Sequence, residues 1–414
     1  MKILYLTAYS YPEQVSSTHF GSNRTQAFVE QGWNMVTYTP TPCRGIDAET
    51  RKKYKKIKRE ERLDGHLVVH RFSMFAEGKN PVLRALRYFL CTIKHFNRGV
   101  FAKDARECDV MFIASTPPIQ GAMAAMIKKF RKDLKFVYNL QDIFPDSLVS
   151  AGMAKKGGIL WKIGRMIENF TYRNADKIVV ISQDFKRNIM EKGVPEEKIE
   201  VIYNWVDEKT VAPVKDEDNE LFEEFGVSRS KFRVLYAGNL GNLQNIGIII
   251  DAARTLKDNN KIEFVIFGKG GLEDEIKTIK TKENLDNLKI LPLQPIERVS
   301  KVYGLGNVCI VACKAGLGGA AMPSKTWTIM SSGRAVLANF DEGELKEIVE
   351  NNNCGVFTKA DDLDGFVNAI ENLSQHPEQC VEMGINARNF ILDNLTREVG
   401  TQKYVSVMKS AVGL

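Results

Sequence analysis

Short apolar, β-rich runs alternate along the whole chain with amphipathic segments of helical length, and this alternation restricts the fold more than any other feature. A strand that is apolar on both faces needs cover on both. A helix between two strands lets the second run parallel to the first. The expected class is therefore α/β, with doubly wound parallel sheets. The first series of strand candidates is Lys2–Thr7, Asn34–Tyr38, Leu67–Arg71, Val110–Ala114, Phe136–Asn139 and Lys177–Ile181, with Lys198–Tyr203 closing it. From Asn204 to about Asn219 the character changes to Pro213 and clustered acids, which predicts a linker. A second series follows at Phe232–Ala237, Ile262–Phe267, Leu288–Leu291, Val308–Ala312, Ala335–Ala338 and Gly355–Phe357. With 414 residues the chain suits two domains of about two hundred each.

Composition excludes several classes. A hydrophobic content of 44% with 26% charged residues describes a globular protein, and no apolar run is long enough to span a bilayer. The opening Met1–Thr7 run reads as a buried strand rather than a signal peptide. Seven scattered cysteines are expected to be reduced core residues of a cytoplasmic protein, and five histidines without two-plus-two ligand spacing predict no metal site. Residues 51–103 hold 15 basic and 4 acidic residues, a surplus of +11 against +7 for the whole chain.

Ligands of open parallel sheets bind beyond the carboxyl ends of the strands, so chemistry is sought in those turns. Met322-Pro323-Ser324-Lys325 opens a short helix that Gly333 ends; its free amides, the Ser324 hydroxyl as a cap and the Lys325 ammonium suit an anion, or else form an ordinary capped core helix. After the first strand, Gly21 permits close backbone approach, and the amides of Ser22 and Asn23 are expected to face an anion. This is not the dinucleotide fingerprint, which disfavours dehydrogenase chemistry. At the end of another strand, Asp142 in Gln141-Asp142-Ile143-Phe144-Pro145-Asp146-Ser147 is placed either to bind or deprotonate a hydroxyl or to cap a helix. Two further strands run into Gly238-Asn239-Leu240-Gly241-Asn242-Leu243-Gln244-Asn245 and Gly268-Lys269-Gly270, both phosphate-type cradles.

Taken in order, these segments resemble the retaining glycosyltransferases of family 4, of GT-B fold. The resemblance rests on Asn174–Ser182, Val201–Asp207, Tyr236–Asn239, Phe267–Gly270 and the Pro323-Ser324-Lys325 helix. The Asp142–Ser147 segment and the Asn239/Gln244 loop are similar to a bacterial branch with fucosamine and fucose transferases of surface-polysaccharide assembly. The resemblance implies two Rossmann-like domains facing across a cleft: 1–204 for the acceptor and 205–395 for a UDP- or GDP-sugar, with 396–414 packing back on the first. It implies transfer without an obligatory metal, and no cofactor. The departing diphosphate itself helps deprotonate the acceptor. Lys325, the Ser324 helix start, the Gly21–Asn23 turn and the Gly238–Asn239 loop would stabilise that diphosphate. Gly268, Gly270 and the turn at Leu293-Gln294 would face the nucleoside. Two departures stand out: Ala320 and Thr328 occupy the positions of the family's paired glutamates, and Asn239 and Asn245 replace its basic loop residues.

The run Arg51–Arg59 precedes a segment in which Val82, Leu86, Phe89, Ile93, Phe96 and Val100 recur at helical spacing among Arg84, Arg87, Lys94 and Arg98. Residues 51–101 therefore suit peripheral contact with an anionic membrane at the inner face of the cytoplasmic membrane, with a polyprenyl-diphosphate-linked acceptor, or else a core-facing helix with a basic outer face. Nucleic acid is not expected, because aromatic residues are not interleaved with the basic run. The other functions considered are a nucleotide-sugar 2-epimerase and a catalytically inactive sugar- or lipid-binding partner.

Overall fold

A computed structural model of the protein describes every residue except 14–17, 79, 151, 153, 317 and 319–321. The chain forms two compact units, Met1–Tyr203 with Gly400–Leu414, and Asn204–Val399. The first holds eight strands: β1 Lys2–Leu6, β2 Asn34–Pro40, β3 Arg59–Arg62, β4 Leu67–Phe72, β5 Val110–Ala114, β6 Lys135–Leu140, β7 Lys177–Val180 and β8 Ile199–Val201. Their order is β3-β4-β2-β1-β5-β6-β7-β8, and every pair is parallel except the edge pair β3–β4. The second unit holds β9 Phe232–Asn239, β10 Ile262–Lys269, β11 Leu288–Pro292, β12 Val308–Ala312, β13 Ala335–Phe340 and β14 Gly355–Lys359, in the all-parallel order β11-β10-β9-β12-β13-β14.

In both sheets the order reverses beside the first strand, between β1 and β5 and between β9 and β12. Such switch points leave a crevice at the carboxyl ends, because the flanking connections depart to opposite sides. Strand interiors such as β5 and β12 are almost wholly buried, as two helix-covered faces require.

The segment Gly400–Leu414 joins the first unit through specific contacts. Tyr404 is buried and donates to Asn139 Oδ1 at 2.9 Å, and the Arg24 guanidinium lies 4.9 Å from the Phe112 ring centroid and 5.0 Å from that of Tyr404.

The Pro81–Phe101 helix is well started: Pro81 takes its first position, and the Asn80 side-chain Oδ1 accepts from the amides of Val82 and Leu83 at 2.9 and 3.3 Å. Its buried side carries Arg87, Cys91, His95, Gly99 and Val100. Arg87 donates to Phe75 O at 2.7 Å, and the His95 ring bonds Tyr38 O at 3.0 Å and Gln120 at 3.3 Å. Full burial pushes the His95 pKa down to about 3, so the ring is neutral. Val82, Leu86, Phe89 and Ile93 are exposed instead. The core-facing reading of this stripe holds only at its end, where Val100 is buried and Phe96 half-buried.

All seven cysteines are free, and all but Cys43 are buried. No helix among the described residues is long and apolar enough to cross a membrane.

Candidate functional site

The carboxyl end of β9 carries the chemistry of the second unit. Tyr236 and Gly238 share one side of the strand, two residues apart, while Gly238 takes φ +146°, a conformation side chains rarely adopt. A Cβ at Gly238 would stand 3.1 Å from Lys325 Nζ, so glycine makes room for that ammonium. Lys325 Nζ donates to Tyr236 Oη at 2.9 Å and lies 4.0 Å from the centroid of the same ring. Tyr236 in turn donates to Asn239 O at 2.7 Å, which fixes the phenol. Sequence reasoning treated Tyr236 only as part of a motif; its period-two relation to Gly238 was the available signal.

Lys325 opens the helix Lys325–Ser331, and Gly333, with φ +66°, ends it. Burial alone pushes its pKa down from 10.5 to about 8. Among the described residues no carboxylate pairs with it. A buried cation without a counter-ion is costly, and an arriving anion removes that cost.

Ser324 departs from expectation. It is exposed, has helical backbone angles (φ −58°, ψ −24°) and makes no side-chain cap. A cap needs an extended backbone at that position to turn the hydroxyl onto the helix amides, so the hydroxyl is left outside. Pro323 accepts the Thr326 amide at 3.0 Å, and Thr328 lies half-buried within the helix. Ala320 lies outside the described residues.

The other predicted turns have their own structural reasons. Asn239 Nδ2 donates to Gln244 Oε1 at 3.2 Å, closing the loop after β9. Asn245 adopts the left-handed conformation and donates to Asp361 Oδ1 at 2.8 Å. Gly268 and Gly270 were expected to face a nucleoside; a Cβ at Gly268 would collide with the Leu240 side chain and one at Gly270 with the Leu240 backbone. Those glycines seat the loop after β9 against β10, where Leu240 N bonds Lys269 O at 3.0 Å. Lys269 is exposed. Leu293 is exposed, while the Gln294 amide donates to Pro292 O at 2.9 Å and accepts from Arg298 at 2.8 Å.

Two carboxylates that sequence reading did not single out hold the loop after β12. Asp341 accepts the amides of Gly316 and Gly318 at 3.0 and 2.8 Å, and Asp361 accepts that of Ala315 at 3.2 Å. Only after the fold joins the ends of β12, β13 and β14 does their role become visible.

In the first unit, the expected turn at Gly21, Ser22 and Asn23 is helix: all three lie inside Thr18–Glu30. Their amides are past the first three helical positions and are used by the helix ladder, so they are not free for an anion. Among the described residues outside its own helix backbone, nothing approaches the Cβ position of Gly21 within 4 Å. Asp142 follows β6, with its side chain reaching solvent. Surrounding protein raises its pKa and a bond from Ser147 opposes the rise; its access to water limits the shift. It caps no helix: Asp146–Ser150 begins four residues later. Among the described residues no three His, Cys, Asp or Glu side chains gather as a metal site would need.

Similarity to known proteins agrees with this architecture. A family model described as glycosyl transferases group 1 matches residues 217–390, and one described as Glycosyltransferase Family 4 matches residues 23–210. The chain is 27% identical over 324 residues to the probable glycosyltransferase WbjE of Pseudomonas aeruginosa, covering 78% of each chain. It is 29% identical over 218 residues to the putative colanic acid biosynthesis glycosyl transferase WcaI of Escherichia coli (strain K12), covering 52% of this chain and 53% of WcaI. In structure it resembles Anabaena Alr3699/HepE, solved in complex with UDP, with a TM-score of 0.70 at 17% identity over 99% of this chain and 100% of that one. With a glycosyltransferase model on each unit and a matching fold throughout, the protein is a glycosyltransferase of the GT-B fold.

Proposed function

We propose that the second unit binds a nucleotide-sugar by its diphosphate at Lys325, and that the enzyme moves the sugar to a lipid-linked glycan in surface-polysaccharide synthesis. The observation that carries the donor site is the part-buried ammonium of Lys325, which has no carboxylate partner among the described residues, at the switch point of a parallel sheet. Related proteins support the wider reading: HepE has been solved with UDP, and WcaI is described as a colanic acid biosynthesis enzyme.

In this reading the bond from the anomeric carbon to the diphosphate breaks as a bond forms from the acceptor oxygen. The acceptor proton passes to the departing diphosphate, and configuration is retained, as the motif resemblance implies. Charge grows on the leaving oxygens, where a fixed cation in a desolvated setting stabilises the transition state more than the ground state. Gly238 and the Asn239–Gln244 loop border the same place. Asp142 orients acceptor hydroxyls, so Asp142→Ala raises the acceptor KM and leaves donor affinity alone. Acceptors of this kind sit at an anionic membrane, where residues 51–101 make peripheral contact.

A thermal-shift screen of UDP- and GDP-sugars, with and without magnesium, tests the donor assignment, because a specific ligand raises apparent stability by mass action. One nucleotide-sugar should stabilise the parent and not Lys325→Ala, and the parent should hydrolyse it slowly. Equal stabilisation of both proteins removes Lys325 from the site.

A further inference from the structure

Three helices of the first unit, Pro81–Phe101, Ile119–Phe130 and Ile159–Asn174, pack side by side. A Cβ on Gly99 would stand 2.5 Å from Ile127, and one on Gly121 2.5 Å from Thr171, so small residues bring neighbouring helices close. On the outside, the Phe96 and Phe130 rings meet edge-to-face at 5.6 Å, and Lys129 lies 5.0 Å from the Phe170 ring centroid. The layer is turned inside out. Its first helix buries Arg87 and His95 while exposing Leu86, Phe89 and Ile93, and Phe130 of the second is 63% exposed. On the third, Ile159, Leu160, Ile163 and Met166 share one face and are 79, 62, 46 and 66% exposed. An outward apolar surface of this extent marks an interaction site.

Its charge identifies the partner. The three helices carry nine basic residues: Arg87 is buried, Arg84, Lys128 and Arg165 pair with carboxylates, and Lys94, Arg98, Lys129, Lys162 and Arg173 have no ion pair among the described residues. The one acidic residue, Glu168, is buried and paired with Arg165 and Lys192. Along the third helix a recess of about 400 Å³ is lined by Lys162, Arg165, Arg173, Asn169 and Phe170. Lys58 and Lys94 both bond Ser73, at 3.1 and 2.8 Å, which sets the end of the basic run beside the first helix. A two-fold contact between copies would set this positive surface against itself. We propose that these three helices dock on an anionic lipid bilayer, with Ile159, Leu160, Ile163 and Met166 entering the interface and the recess receiving an anionic lipid head group. The proposal builds on the reading of a lipid-linked acceptor but does not need a donor to be tested. Apolar side chains lend bilayer affinity while cations select the anionic surface.

Flotation of the full chain with vesicles of one part phosphatidylglycerol to two of phosphatidylcholine tests it. The parent should float with them and not with phosphatidylcholine alone. The combined variant Ile159→Ser, Leu160→Ser, Ile163→Ser, Met166→Ser should partition at least about tenfold more weakly, with an unchanged melting temperature because these side chains are exposed. Lys162→Gln with Arg173→Gln should weaken binding at low salt more than at high salt. Lys325→Ala should float like the parent, so failure of the donor site leaves this result standing. A serine variant that floats like the parent, a parent that prefers neither vesicle, or a parent dimer that the serine changes turn into a monomer overturns the proposal.

Discussion

Two part-buried lysines, one in each unit, show how an ammonium held between carboxylates differs from one beside a neutral phenol. Lys192 has 12% of its side chain exposed and donates to Asp146 at 2.6 Å and Glu168 at 3.0 Å. Burial alone would raise the Asp146 pKa, but the Lys192 bond and charge outweigh it and hold that carboxyl below its usual range. Lys325 is also part-buried, yet its hydrogen-bond partner among the described residues is a neutral phenol. The first ammonium is a structural joint between the helices Asp146–Ser150, Ile159–Asn174 and Gln183–Glu191 and their loops. In the proposed reading the second keeps its charge for the donor diphosphate.

The contrast breaks most sharply on replacement. Lys192→Ala takes the cation from Asp146 and leaves Glu168 to Arg165 and Tyr172, and unfolding free energy should fall by about 1–3 kcal/mol in urea titrations. Lys325→Ala removes an uncompensated charge, so stability should hold or rise, while kcat/KM should fall by about 2–4 kcal/mol. A loss of stability at Lys325 matching that at Lys192 would erase the distinction. Gly270→Ala presses a methyl group on the Leu240 backbone and should cost about 1–3 kcal/mol of stability, read as a shifted melting curve. Tyr236→Phe deletes the hydroxyl between Lys325 and Asn239 O and should weaken nucleotide binding by about 0.5–1.5 kcal/mol without unfolding the sheet.

Acidity sharpens the same comparison. The pKa of Lys325 in the folded protein, about 8, lies below its ordinary 10.5. Between those values the unfolded chain binds the extra proton, so this group's contribution makes the ligand-free protein more stable as pH rises through that window. A bound diphosphate reverses the preference by favouring the charged form. Calorimetry above pH 8 in buffers of different ionisation heats should therefore show proton uptake on nucleotide binding, with affinity declining as pH climbs. Binding without proton uptake would place the diphosphate away from Lys325.

Much of the architecture was legible because apolar runs signal buried parallel strands directly. The edge strand β3, Arg59–Arg62, was not: it has no apolar residue, and its charges are those that discourage edge-to-edge pairing. At Gly21–Asn23, a glycine after polar residues resembled a turn, but the helix runs through it. Gly268 and Gly270 were read as places of close approach to a ligand, and the neighbouring loop at Leu240 also lies against them, which sequence alone does not reveal. Position along the chain flagged Lys325; its missing counter-ion depends on what the fold leaves out of reach. The apolar stripe from Val82 to Ile93 left its direction open until Arg87 and His95 were seen on the buried side.

The clasp formed by Asp341 and Asp361 takes hold of main-chain amides at Ala315, Gly316 and Gly318, and Asp361 also fastens Asn245. A loop tethered through its backbone keeps its course when its own side chains are exchanged. Exchange of the side chains at Lys314 or Ala315 therefore leaves the course of the loop in place, whereas a change at either aspartate would loosen it.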